Sequence, residues 1–313
     1  MINYESKMSI VIIVFLITSS ILSSCTDDTD PEPYNRPPGS KAGIPVLSYH
    51  YFNDRNRLEQ GGRALGTVLL NLPLLTVKDA WTVRSEDFEK QLRFLDKNGY
   101  RTITMDELKS FMTGREEMPG NCVAITFDDG DRSVYRYAYP LLKKYDMKGT
   151  LFIVTSRVGQ SWNSLNISSW EELREMEESG VIDIESHTHD MHSKLREGDI
   201  PHPVFTVSGE TMDKMRKEKI FNDLRRSRVS LKFQLGIRTN FLAWPYGFGT
   251  AISDSLAEAA GFEGILTLKS GRNHPGDPLT EIKRFAVTSK TSFSRFKRIV
   301  GIDRAVDRET DHM

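Results

Sequence analysis

Apolar and polar residues along this chain alternate with two different periods. Runs that alternate every second residue, or stay apolar for a few residues, lie near 45–49, 101–104, 121–127, 149–154, 181–185, 240–244, 263–267 and 284–288, and each reads as a strand. Between several of them the period lengthens to that of a helix. Residues 86–97 place Phe88, Leu92 and Leu95 on one face and stop at Asn98-Gly99. Ser169-Trp170-Glu171-Glu172 has the form of a capping box, with Leu173 and Met176 marking the buried side of the helix it starts. Strand and helix in alternation predict parallel strands, hence a distorted (β/α) barrel of seven or eight mostly parallel strands, with functional groups on the loops that follow the strands. Residues 54–80 and 194–212 interrupt the alternation and read as insertions or covers on the substrate side. There is no internal repeat and no sign of a second domain.

One strand ends in a way that folding does not ask for. Val123, Ile125 and Phe127 alternate like a buried strand, which then delivers Asp128, Asp129 and Gly130 to its carboxyl end. Neighbouring side chains point to opposite sides there, so one carboxylate can hold a metal while the other faces an attacking water. An Asp-Asp-Gly turn closing a hairpin fits the hexapeptide equally well. The strand Val181-Ile182-Asp183-Ile184-Glu185 breaks the tie, because it runs into Ser186-His187-Thr188-His189-Asp190-Met191-His192, which holds three of the seven histidines. Two imidazoles and one carboxylate leave a divalent ion open positions for water and substrate. Spacing leaves the pair undecided: His187 and His189 share a strand face, whereas His187 and His192 converge only if the chain turns between them.

These segments resemble a known family. Thr126-Phe127-Asp128-Asp129-Gly130, His187-Thr188 with a second histidine a few residues on, and Trp244-Pro245-Tyr246-Gly247 are similar to three successive motifs of the NodB-homology polysaccharide deacetylases, carbohydrate esterase family 4. The likeness covers roughly residues 44 to 300. Ile44-Pro45-Val46-Leu47-Ser48-Tyr49-His50, Asn98-Gly99-Tyr100 and Trp170 resemble the branch that deacetylates biofilm poly-N-acetylglucosamine. The resemblance implies a NodB-type barrel and a hydrolase of linear amide C–N bonds. It implies Asp129, His187 and His192 as ligands of a divalent ion, zinc first, with cobalt, nickel or iron as alternatives. Asp128 is then the base, and the backbone N–H of Tyr246 receives the oxyanion. Trp244 is either a sugar-stacking wall or a core residue.

Two departures from the family pattern matter. There is no Leu-x-His segment after the other motifs, and His274 sits in what reads as a loop, so the general acid is assigned to His50 at the end of the first strand. Ala243 stands where many relatives carry an arginine that orients the base, and Arg284, in Ile282-Lys283-Arg284-Phe285, is the expected substitute.

The amino terminus supplies an address. Lys7 precedes an apolar run from Ile10 to Leu22, too short for a comfortable membrane span and of the length of a signal-peptide core. Leu22-Ser23-Ser24-Cys25 resembles a bacterial lipobox, which implies a lipoprotein signal peptide over 1–24 and a lipid on Cys25. Residues 25–43, rich in Asp, Pro, Gly and Ser, read as a disordered tether, 44–302 as the catalytic domain and 303–313 as a polar tail. The expected location is the bacterial cell envelope, on the extracytoplasmic side, beside machinery for exopolysaccharide synthesis or export. A formal net charge of −1 argues against nucleic acid as a partner. Cys122 has no cysteine partner once Cys25 is lipidated and reads as a buried structural thiol. Two rival readings stay in view: a metal-dependent esterase acting on O-acetylated glycan or another bond, and a non-catalytic glycan-binding surface lipoprotein.

Overall fold

The computed structural model describes residues 43–54, 77–197, 200–206 and 212–301. The lipobox, the tether and the polar tail lie outside these residues. Nine strands form the main sheet: β1 (Ile44–Tyr49), β2 (Arg101–Thr102), β3 (Cys122–Phe127), β4 (Gly149–Ile153), β5 (Ile182–Ser186), β6 (Phe241–Ala243), β7 (Gly264–Leu266), β8 (Arg272–Asn273) and β9 (Phe285–Ala286). Their order is β7-β6-β5-β4-β3-β1-β8, with β2 on β3 and β9 on β1, and every pairing is parallel except β1 with β8. The segment from Ile282 to β9 closes the circuit. Ile282 bridges Leu266 on one side, and three residues later β9 pairs Leu47 and Ser48 on the other. The eight strand segments read from periodicity are all present, within one or two residues at their ends.

The alternation along each strand separates two cores. Val123, Ile125 and Phe127 face the helices and join Leu151, Ile153, Ile182 and Ile184 there. Cys122 and Ala124 face inward, with Val46, Phe152, Phe241, Ala243, Leu266 and Ile282. Strands buried on both faces are why β3 reads as a continuous apolar run. Burial pushes the Cys122 thiol up, which suits an inert core residue.

The helices start and stop where their sequences direct. Helix Ser85–Lys97 buries Phe88, Leu92 and Leu95 and ends at Asn98 and Gly99. Helix Trp170–Glu178 carries the reciprocal capping box of Ser169 and Glu172. The interruption near 54–80 holds, in its described part, a short helix Val77–Trp81 that leads into Thr82–Arg84, paired with Tyr51–Asn53. The one near 194–212 holds an antiparallel pair, Lys194–Glu197 with Ile200–Pro203.

At the strand-start end of the barrel a cavity of about 270 Å³ is lined by Thr104, Asp106, Glu177, Asp183 and Glu185, far from the strand-end loops. Glu177 accepts the Ile184 N–H at 2.6 Å, and burial pushes its carboxyl up to about 7, with Asp183 adding to the effect. A carboxyl raised from 4.5 in the unfolded chain contributes stability that is full below that value and is lost as pH rises toward 7. Glu177→Gln keeps the acceptor and removes the charge. Its melting temperature is therefore expected above that of the parent at pH 8, with the gap closing toward pH 5; an equal gap at both pH values would contradict the assignment.

Candidate active site

Four strand ends and the closing segment deliver the polar groups to one mouth of the barrel. Asp128 follows β3, is 2% exposed, and meets the guanidinium of fully buried Arg284 in a two-pronged pair, with Nη1 to Oδ1 at 2.7 Å and Nη2 to Oδ2 at 2.9 Å. Arg284 is itself held by the Thr267 carbonyl at 2.9 Å and the Thr126 hydroxyl at 3.3 Å. Burial would push the Asp128 carboxyl up, but Arg284 and the nearby imidazoles outweigh it and hold the group below its ordinary range. Ala243 contributes its backbone instead of a long side chain, and the cation beside Asp128 comes from the neighbouring segment.

Asp129 looks the other way. Its φ of 73° is a left-handed conformation that costs a non-glycine residue energy, and Thr188 (75°) and Tyr246 (63°) adopt it at the same mouth. Asp129 Oδ1 lies 3.4 Å from His187 Nε2 and 3.0 Å from His192 Nε2. Burial opposes ionisation of Asp129; the two imidazoles reverse this and keep its carboxyl well below the usual range. Its Oδ2 accepts a hydrogen bond from the Tyr51 hydroxyl.

The turn that spacing could not decide is built by side chains. Thr188 takes its left-handed φ, its N–H donates to the Ser186 hydroxyl, and its Oγ1 accepts the Met191 N–H at 3.2 Å. Asp223 accepts the N–H groups of His189 and Asp190 at 2.8 and 2.9 Å. The chain thus folds back and sets the rings of His187 and His192 5.2 Å apart. His189 points elsewhere, with Nδ1 2.9 Å from the Thr155 hydroxyl. His192 is packed between Trp162 at 4.9 Å and Tyr246 at 4.8 Å, and the Tyr246 hydroxyl donates to the His192 carbonyl at 3.2 Å. Gly247, at φ 87°, ends this turn where a Cβ would strike Leu268 at 2.4 Å.

The donor set fits a divalent ion. Asp129, His187 and His192 each bring one ligand atom within 4.8 Å of the others. His187 Nδ1 is 2.7 Å from the Ala243 carbonyl, which fixes the proton there and leaves Nε2 its lone pair. Asp129 Oδ1 is buried between the two Nε2 atoms with no aligned hydrogen bond, an expensive arrangement unless a cation completes it. Two nitrogens and one oxygen with open positions is the pattern of a catalytic centre.

His50, at the end of β1, brings Nε2 to 4.0 Å from Asp128 Oδ2 and packs its ring on Trp81 at 4.4 Å. Burial pulls the imidazole below its ordinary value, although Asp128 and Asp129 oppose the shift. Trp244 is no wall of the mouth. It is fully buried, stacks on Phe205 at 4.5 Å and donates Nε1–H to Asp254 at 2.6 Å, so of its two sequence readings the core one holds. His274 lies off the mouth beside Asp277, at 3.7 Å.

Tyr51 and Trp162 belong to the mouth without a sequence signal of comparable strength. Tyr51 follows His50 directly, and its hydroxyl ties down one oxygen of Asp129 so that the other is presented alone. Tyr51→Phe is expected to weaken metal affinity about ten- to a hundredfold, the usual cost of losing a group that orients a ligand, with folding intact. Titration of the metal-free variant with zinc against a competing chelator reads this directly; unchanged affinity would make the contact incidental.

Comparison with known proteins identifies the family. The polysaccharide deacetylase family profile matches residues 115–265. A poly-beta-1,6-N-acetyl-D-glucosamine N-deacetylase of Staphylococcus epidermidis is 30% identical over 229 residues, 71% of this chain and 74% of that protein. The protein of the same description from Staphylococcus aureus is 31% identical over 168 residues, 53% of this chain, and the match spans about half of its length, 54%. Among solved structures, IcaB from Ammonifex degensii is 31% identical with a TM-score of 0.68, covering 83% of this chain and 97% of that one. A de-N-acetylase from Aggregatibacter actinomycetemcomitans, 23% identical, shares the fold with a TM-score of 0.67 over 82% of this chain and 99% of its own. The chain belongs to the polysaccharide deacetylase family.

Proposed function

We propose that the protein is a metal-dependent hydrolase that removes N-acetyl groups from a poly-β-1,6-linked N-acetylglucosamine polymer. The observation that carries the reading is the pairing of an Asp-His-His ligand set with a second, Arg-clamped carboxylate at the same strand end. The relatives described as poly-beta-1,6-N-acetyl-D-glucosamine N-deacetylases support the choice of polymer. A binding protein has no use for a buried base beside a metal, which disfavours the non-catalytic reading.

A divalent ion bound by Asp129, His187 and His192, zinc first, would polarise the acetyl carbonyl and lower the pKa of a bound water. Asp128 takes the proton of the attacking water, with Arg284 orienting its carboxylate and keeping it ionised. The Tyr246 N–H, turned by its left-handed conformation, donates to the oxyanion. His50 donates a proton to the departing amine, a task helped by an imidazole that burial has made more acidic. Half-buried Trp81 and Trp162 offer flat apolar surfaces on either side, which suit sugar rings.

The proposal extends to the address: cleavage before Cys25, a lipid on its sulfur, the tether 25–43 and the domain 44–302 together place the enzyme at the extracytoplasmic face of the cell envelope, near machinery that makes or exports the polymer. Acetate release from β-1,6-linked N-acetylglucosamine oligomers, chito-oligosaccharides and O-acetylated glycan, each with and without chelator, tests the reading. Chelator-sensitive release from the first is expected; release from the O-acetylated substrate alone would favour the esterase.

A further inference from the structure

Two tryptophans flank the mouth on elements too small to hold themselves in place. Trp81, against His50, ends the five-residue helix Val77–Trp81. Trp162, against His192, lies in a hairpin of two-residue strands, Ser161–Trp162 and Leu165–Asn166. Asn163 and Ser164 join the strands in the left-handed conformation of a tight turn, at φ 48° and 65°. Backbone fixes the base of the hairpin: the Arg132 N–H donates to the Asn166 carbonyl at 2.7 Å, and the Ser168 N–H to the Gly130 carbonyl at 3.0 Å. The tip is reached by a side chain.

That side chain is Lys78, three residues before Trp81 on the short helix. Its Nζ donates to the Ser164 carbonyl at the hairpin tip at 3.2 Å and to Asp131 Oδ2 at 3.3 Å, and it stands 5.4 Å from the centre of the Tyr51 ring. Asp131 directly follows the Asp128-Asp129-Gly130 turn and is 3% exposed, and its other oxygen accepts the Ser133 N–H at 3.0 Å. An ion pair in open solvent contributes little, but an acid this deeply buried is left with an uncompensated charge when its cation goes. Tyr51, Leu165 and Ile167 form a small buried cluster, and Trp81 and Trp162 both pack on it. The ammonium therefore ties together three separate segments around the cluster that carries both tryptophans.

We propose that Lys78 is a positioning residue for polymer binding: it clamps the short helix to the hairpin and so sets the separation of the Trp81 and Trp162 faces. The inference rests on the reading above, in which those faces receive sugar rings. An ion pair with Asp131 alone would serve stability. The bond to Ser164, on an element distinct from both the helix and the Asp131 turn, is what makes the contact a clamp. A polymer that meets both faces needs them at a fixed separation, whereas the acetyl group at the ligand set does not, so Lys78 acts on KM and not on kcat.

On the full chain carrying Cys25→Ser, with Cys122 buried, spin labels at exposed Ala80→Cys and Ser161→Cys report the separation of helix and hairpin with no substrate present. One narrow separation is expected with Lys78 and with Lys78→Arg, and a broad distribution with Lys78→Met. An equally narrow separation in Lys78→Met would overturn the proposal whether or not the protein releases acetate. Absence of acetate release from the parent would count against the functional reading instead, and the label separation would still decide the clamp. In unlabelled, zinc-loaded protein, Lys78→Met is expected to raise KM for a β-1,6-linked N-acetylglucosamine pentamer about tenfold, the scale of one lost aromatic face. Unchanged kcat and recovery in Lys78→Arg are expected with it. In protein that already carries Trp81→Ala and Trp162→Ala, Lys78→Met is expected to cost nothing more. A full further loss there would place Lys78 on the sugar itself, and a fall in kcat at constant KM would make its role purely structural; either result would overturn the clamp.

Discussion

Asp128→Asn is expected to lower acetate release by at least about a hundredfold while the metal stays bound, the usual scale for losing a general base. The substitution keeps the shape and the hydrogen bonds that Arg284 can make to one oxygen, and it removes the lone pair that takes the proton of water. Arg284 is fully buried and would then face a neutral partner, so some loss of stability accompanies the change. Metal content and a melting curve on the same sample separate the two effects. A folded, metal-loaded variant that turns over normally would remove Asp128 from the chemistry.

The second large effect falls on the histidines. His187→Ala and His192→Ala each take one nitrogen from a three-ligand set, and both metal and activity are expected to be lost at ordinary metal concentrations. His189→Ala is expected to keep the metal, because its ring is bonded to Thr155 on the far side of the turn. Metal analysis of the three purified variants decides the matter, and loss of metal in the His189 variant alone would reverse the assignment.

Much of this is legible in the sequence. The continuous apolar run of β3 stops abruptly at Asp128, and β5 runs straight into the histidine cluster, so these two strand ends mark the mouth. The choice between His189 and His192 was not legible, because it depends on a left-handed Thr188 and on Asp223 from a distant helix. Arg284 was reachable only from what Ala243 lacks. The Tyr51 contact with Asp129 spans 78 positions, and Trp162 reaches His192 from the two-residue strand Ser161–Trp162, so neither leaves a local pattern. Trp244 shows the reverse difficulty: a lone tryptophan beside a motif looks the same whether it faces sugar or Phe205.

The central claim is that one ion at Asp129, His187 and His192 activates the water that Asp128 deprotonates. Stripping the full-length protein of metal and titrating zinc or cobalt back, while acetate release from β-1,6-linked N-acetylglucosamine oligomers is followed, tests it most directly. Activity is expected to vanish in the stripped protein and to return in proportion to metal until about one ion per chain is bound. Undiminished acetate release by protein shown to be free of metal would contradict the account.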